Sequence, residues 1–311
     1  MTLQAFAKTP SMRVVAGVMA CNEEQTIGPL LDALLASRPA GAPIERITVV
    51  SSACRDGTDE IVRAFAVRDP RVVLIAEPER RGKSAAINSF LAARPPGTDV
   101  TLIASADVLP EPGATEAIVA AFADPAVGMA GGRPVPRNEG DALLDRMARL
   151  MWHLHDCVAR RSPKLGEFVA VRSALVESLD AASPVDESSL EAAVREQGGR
   201  LVYVPEATVG NRGPATVREW MYQRRHIAFG HLWLRRRTGY SVSTGSGAAV
   251  LPIWLSEVLP HPSRWLPGLA LVATEVLARL EARCDFRRGD KDYAIWTIAR
   301  STKAGSGAPP S

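Results

Sequence analysis

The chain has 311 residues, 46% of them hydrophobic, enough to bury a sizeable core in one large or two smaller domains. A net charge of only +3 is far from the strongly basic balance of a chain built to bind nucleic acid, so no nucleic-acid partner is expected. No apolar run reaches the ~18–20 residues of a membrane span, and Met1–Met12 carries no long apolar stretch of a secretory signal. Cys21, Cys54, Cys157 and Cys284 are scattered without metal-ligand spacing, as free thiols of a cytoplasmic protein are.

In chain order, residues 13–20 predict a buried strand, and 25–37 a helix with Ile27, Leu30, Leu31, Leu34 and Leu35 on one face. A strand over 44–50, a helix over 59–67 behind the Asp56–Asp59 turn, a strand over 71–76, a helix over 84–93 and a strand over 99–104 follow. Strands alternating with helices imply right-handed crossovers and a mostly parallel sheet. Next come a helix over 113–123, a strand over 127–132, a loop over 134–140 and a long helix over 141–161. The pattern then gives a short strand over 167–171, a helix over 188–197 stopped at Gly198-Gly199, a strand over 201–205 and an aromatic, basic helix over 216–237. The loop Asn211-Arg212-Gly213-Pro214 is expected to be mobile and to close over a ligand. Residues 248–283 turn rich in Leu, Val, Ala, Pro and Trp, and 304–311 are expected to be disordered.

Open α/β sheets bind ligands beyond the carboxyl ends of their strands, and several chemically loaded stretches fall there. The first strand ends in Ala20-Cys21-Asn22-Glu23-Glu24, where the carboxylates also suit the N-terminus of the following helix. The second ends in Ser51-Ser52, before Asp56-Gly57-Thr58-Asp59. Arg80-Arg81-Gly82-Lys83-Ser84 offers an ammonium and backbone N–H groups to phosphate at a helix start. A P-loop is excluded, because Glu77 stands where that motif needs a glycine. The fourth strand ends in Ser105-Ala106-Asp107, and Asp186-Glu187-Ser188-Ser189-Leu190 opens a later helix, where the acids would equally serve as caps.

In this order and spacing the stretches resemble the nucleotide-sugar domain of the inverting family-2 glycosyltransferases, of the GT-A type, over about residues 12–240. The resemblance implies an α/β, Rossmann-like GT-A domain with a mostly parallel sheet, a helical C-terminal extension over 241–303 and the tail from 304. It implies an inverting, metal-assisted and non-processive transfer of a sugar from a UDP- or GDP-sugar to an acceptor hydroxyl of a glycan, a lipid-linked molecule or a small molecule. Ala20, Asn22, Glu23, Ser52, Lys83, Ser105, Ala106 and Asp107 would hold the nucleotide sugar. Asp107 would bind Mg²⁺ or Mn²⁺, in a motif whose first aspartate is replaced by Ser105. Ser51 and Ser52 replace an acidic pair, which leaves the base open. Glu187 would be the general base by motif position, with Asp186 beside it as the alternative. Gln223-Arg224-Arg225-His226-Ile227 resembles the Gln-x-x-Arg-Trp of processive relatives, with His226 for arginine and Ile227 for tryptophan. Gln223, Arg224 and Arg225 would then face the diphosphate, and His226 or His231 could reach the metal.

The acceptor would contact Arg133–Asn138, Trp152–Asp156 and Gly166–Phe168. The C-terminal extension, with Trp254, Trp265 and flanking Arg264, Arg279 and Arg283, fits a helical subdomain packed on the core, a homodimer contact or a peripheral contact at the inner face of the plasma membrane. Two rival readings stay open. One is a nucleotidyltransferase, although its glycine-rich loop after the first strand is absent. The other is a non-catalytic sugar-nucleotide binder or assembly partner, motivated by Ser51, Ser52 and Ser105.

Overall fold

A computed structural model describes residues 12–138, 140–245, 247–289 and 293–296. The first half alternates as the pattern requires: β1 (Val14–Ala20), α1 (Ile27–Ala36), β2 (Arg46–Ser52), α2 (Thr58–Arg68), β3 (Val72–Glu77), α3 (Lys83–Ala92) and β4 (Val100–Ser105). The second half comprises β5 (Leu109–Pro110), α4 (Ala114–Ala120), β6 (Val127–Pro136), α5 (Leu143–Ala159), β7 (Phe168–Arg172), α6 (Asp186–Glu196), β8 (Arg200–Asn211), α7 (Val217–Thr238), α8 (Gly247–Val258) and α9 (Trp265–Arg288).

One sheet of 8 strands runs in the order β3-β2-β1-β4-β7-β6-β8-β5. β1 to β4 are mutually parallel, β7 is antiparallel to both neighbours, and β6 and β8 are parallel to each other. Every residue of β1 and β4 is buried, as strands covered by helices on both faces must be. One core, with Ile27, Leu30, Leu31, Leu34 and Ile47, packs α1, α2 and α4 on one face; Ile87, Phe90, Leu190 and Val194 close the other with α3 and α6.

The structure departs from the pattern where tertiary pairing overrides local signals. β6 continues through Pro134–Pro136, and β8 runs to Asn211, because the two strands pair along that length. Asn211, expected in a mobile loop, is therefore strand, and Gly213 just beyond it is pinned by Asn138, whose Oδ1 accepts from Gly213 N at 2.8 Å. The helix expected from Ser188 begins at Asp186, so the acid pair occupies its first turn. α8 and α9 pack on α5 and α7 through Met147, Leu150, Leu154, Trp220, Ile253 and Leu271. No disulfide joins the four cysteines. No described helix is long and apolar enough to cross a membrane. The stretch 304–311 lies outside the described residues.

Candidate active site

Parallel pairing brings the carboxyl ends of the first four strands into line. Met19 lies opposite Ser105, Ala20 opposite Ser51, and Ser52 opposite Glu77. β7 runs the other way, so its start reaches the same rim: Ser105 N donates to Glu167 O at 3.1 Å. β6 and β8 end there too, with Pro136 opposite Asn211. Ala106 N donates to Met19 O at 3.0 Å, which ties the Ser105-Ala106-Asp107 turn to β1 and presents Asp107 half-buried just past β4.

The turns after β1 and β2 are zipped together. Asn22 Oδ1 accepts from Arg55 N at 2.8 Å, and Glu23 N donates to Thr58 Oγ1 at 2.7 Å. Glu24 and the Asp56–Gly57 turn bond reciprocally, Glu24 N to Asp56 Oδ2 at 3.1 Å and Gly57 N to Glu24 Oε2 at 2.9 Å. Asn22 (φ 57°) and Ala53 (φ 52°) both hold left-handed backbone, which non-glycine residues adopt at a cost of roughly 1–3 kcal/mol. These bonds lock the two strained turns to each other at one side of the rim. Ser52 Oγ donates to Glu77 Oε2 at 3.1 Å, so a buried acid stands beside this serine.

The other wall is a charge cluster. Lys83, at the start of α3, pairs with Asp186 at 2.9 Å and Glu187 at 2.6 Å, at the start of α6. Burial alone would lower the Lys83 pKa, but the two carboxylates outweigh it and hold the ammonium well above its ordinary value. Burial, with Glu187 next to it, pushes the Asp186 carboxyl up to about 6. Burial also works to raise Glu187, yet Lys83 holds it below the usual carboxylate range. The expected phosphate lysine and the expected base thus meet in one cluster.

Sequence reasoning placed Glu167 among the acceptor contacts and Asn211 in a closing loop, and gave Glu77 no role at the site; it did not bring the three to the strand-end rim. Glu167 lies between Asp107 and the Lys83 cluster in its electrostatics: burial first, then the Asp107 charge, push its carboxyl up to about 8, opposed by Lys83. The signal was an acid directly before an apolar strand, and its meaning depends on which strand pairs with which. The rim offers oxygen donors, carboxylates and an amide, which are the ligands Mg²⁺ and Mn²⁺ take, so the residues present fit such an ion.

The expected residues of α7 make protein contacts of their own. Arg224 is ion-paired with Glu275 of α9, and Arg225 donates from Nε to Asp285 at 2.6 Å. Both guanidiniums are engaged in docking α9. His226 is fully buried, with Nε2 at 3.2 Å from Pro184 O and its ring 3.8 Å from that of Trp296; burial lowers its pKa to about 4. His231 is lowered to about 3 by burial and by Lys164, Arg224 and Arg279, which places it with those cations. The described side chain of Gln223 is half-buried. Among the described residues the ligand atoms of His153, Cys157 and Glu257 lie within 4.8 Å of one another, but Arg264 Nη1 already sits 3.3 Å from His153 Nε2, so a guanidinium fills that cluster.

The C-terminal segment folds back onto this region. Gly82 holds φ 95°, and a Cβ there would collide with the Ala294 carbonyl. Trp296 Nε1 donates to Pro184 O at 3.0 Å, just ahead of Asp186.

The sequence model of the family described as glycosyl transferase family 2 matches residues 16–172, half of the chain. Among solved structures, a mannosyltransferase from Pyrobaculum calidifontis in complex with GDP-mannose and Mn²⁺ superposes with a TM-score of 0.64 at 21% identity, over 91% of this chain and 89% of that one. Glucosyl-3-phosphoglycerate synthase from Mycobacterium tuberculosis, in complex with Mn²⁺, UDP-glucose and phosphoglyceric acid, gives 0.51 at 17% identity, over 75% and 82%. These likenesses establish a shared GT-A fold. No curated protein sequence matches the chain.

Proposed function

The chain belongs to glycosyl transferase family 2, and from that premise we propose that it transfers a sugar from a nucleoside-diphosphate donor to an acceptor hydroxyl, with inversion at the anomeric carbon and release of the nucleoside diphosphate. The observation that carries the reading is the Lys83–Asp186–Glu187 cluster, built on the helix that follows β3, while Asp107 follows β4 at the same strand-end rim.

The nucleoside would lie against the zipped turns of Asn22–Glu24 and Ala53–Thr58, with Ala20 and Ser52 beneath it. The diphosphate would reach Ser105, Ala106 and Asp107. Mg²⁺ or Mn²⁺ held at Asp107 supplies neutralisation of charge on the departing phosphate. Lys83 adds a cation on the opposite side, and an arriving diphosphate competes for it with the two carboxylates. Glu187 is more exposed than Asp186 and takes the acceptor proton; released from Lys83 it becomes a stronger base. Asp186 holds Lys83 and shares the charge. Arg224 and Arg225 take no part in this reading.

In this reading residues 12–240 form the transferase unit and 241–303 an extension, of which α8 and α9 pack on α5 and α7. From Trp265 to Leu280 the exposed side chains of α9 are apolar, including Leu266, Leu269, Val272, Val276, Leu277 and Leu280. The charged residues of that stretch, Glu275 and Arg279, pair with each other at 3.4 Å. Exposed Arg283, Arg287 and Arg288 follow in the same helix. An apolar face ending in arginines suits the interface of an anionic bilayer, and a peripheral membrane contact is the reading proposed for it.

The test is incubation with UDP- and GDP-sugars, Mn²⁺ and candidate acceptors, with anomeric protons followed by NMR. A β-linked product from an α-linked donor is expected. Tight nucleotide binding with no turnover on any acceptor or water would favour a non-catalytic binder, the reading to which Ser51, Ser52 and Ser105 lend support.

A further inference from the structure

The strand-end motif supplies one carboxylate, Asp107, because Ser105 stands where a second would be. The antiparallel partner of β4 changes that count. Ser105 N donates to Glu167 O, so Glu167 sits across the strand pair from the serine. Residues paired across antiparallel strands put their side chains on one face, so Glu167 shares a face with Ser105, its side chain is half-buried, and the Asp107 charge acts on it. Two neighbouring, partly desolvated carboxylates repel, and Lys83, the ammonium that also acts on Glu167, is bonded to Asp186 and Glu187.

A second observation points to a bound ion. Asn211, at the end of β8, is 8% exposed and shares a cavity lining with Glu167, yet its Oδ1 has no hydrogen-bond partner in the structure. A buried amide oxygen without a donor is costly, and such groups mark a water or ion site. Glu167 and Asn211 line one cavity of about 10 Å³ with Val108 and Gly132, room for a single water-sized body.

We infer that Glu167 supplies the second carboxylate of the cation site, replacing by position across β4–β7 the acid that Ser105 lacks, with the Asn211 amide oxygen turned to the same ion or to a water bound to it. Two carboxylates plus substrate phosphates and water make the usual Mg²⁺ or Mn²⁺ shell. This rests on Asp107 as a cation ligand, so the experiment separates the two statements.

Mn²⁺ binding is measured directly, by loss of the free-ion EPR signal, with UDP and with GDP present. The proteins are wild type, Asp107→Asn, Glu167→Gln, Glu167→Asp, and Glu167→Gln with Ser105→Asp. The expected result is Mn²⁺ binding weakened roughly tenfold or more in Glu167→Gln, the scale at which even outer partners of a metal act. Glu167→Asp should keep part of it, and Ser105→Asp should restore it in the Glu167→Gln background. Thermal unfolding midpoints identify any variant that fails to fold, in which case Glu167→Asp decides. Loss in Asp107→Asn with wild-type binding in Glu167→Gln overturns the Glu167 assignment alone. Wild-type binding in Asp107→Asn overturns the metal reading on which it stands.

Discussion

The two halves of the sheet reach the same rim by different routes. In the parallel half, β1 to β4, each strand ends there and hands its chemistry to the loop that follows, so function lies in contiguous stretches such as Asn22-Glu23-Glu24 and Ser105-Ala106-Asp107. In the other half the site is assembled across strands: Glu167 arrives at the start of antiparallel β7, and Asn211 at the end of β8. Beside each strand-end serine a neighbouring strand presents an acid, Glu167 across from Ser105 and Glu77 beside Ser52.

The largest effect expected from breaking the parallel half is at Asp107. Asp107→Ala should reduce transfer by about 10²–10³-fold or more, on the scale of losing one preorganised electrostatic contact, with the unfolding midpoint little changed. Retained activity would mean that the assembled half suffices alone. Glu187→Gln should lower the rate by about 10²–10⁴-fold, and Asp186→Asn should do less; the reverse order would make Asp186 the base.

The assembled half has a pH signature. The folded-state pKa of Glu167 lies near 8, above its unfolded value, so its contribution to apo stability is present in acid and is lost as pH rises through about 8. Glu167→Gln should flatten the apo stability profile across that window, read by chemical denaturation at several pH values. An unchanged profile would mean that Glu167 titrates normally.

Arg224 sharpens the boundary between site and scaffold. Its pairing with Glu275 predicts that Arg224→Ala lowers stability by ~1–3 kcal/mol through loosened α9 docking. Activity lost at full stability would instead put its guanidinium on the diphosphate. The smallest effect on the fold is expected on the outer face of α9. Leu269→Glu with Val276→Glu should change stability by no more than about 0.5 kcal/mol each while removing co-sedimentation with anionic liposomes. If the wild type stays in the supernatant, the membrane contact falls.

The order of elements through β4 was legible because buried parallel strands and one-sided helices repeat at short range. Lys83 and the Asp186-Glu187 pair were legible as separate motifs, but their ion pairs were not, since they join the starts of α3 and α6 across the fold. The ion pairs of Arg224 and Arg225 with α9 were not legible, because basic residues on a helix read the same whether they meet a diphosphate or the acids of another helix. The length of β6 was hidden by Pro134 and Pro136, and that of β8 by Pro205, where local rules end a strand and strand pairing carries it on.

The central claim is metal-dependent nucleotide binding at the Asp107 rim. A thermal-shift panel of UDP, GDP, dTDP, CDP and ADP, each with and without Mn²⁺, tests it on wild type and Asp107→Asn, since a ligand specific to the folded state raises its stability with the logarithm of occupancy. The account predicts a Mn²⁺-dependent shift with one nucleotide that disappears in Asp107→Asn. No shift with any nucleotide, or the same shift in the variant, would contradict it.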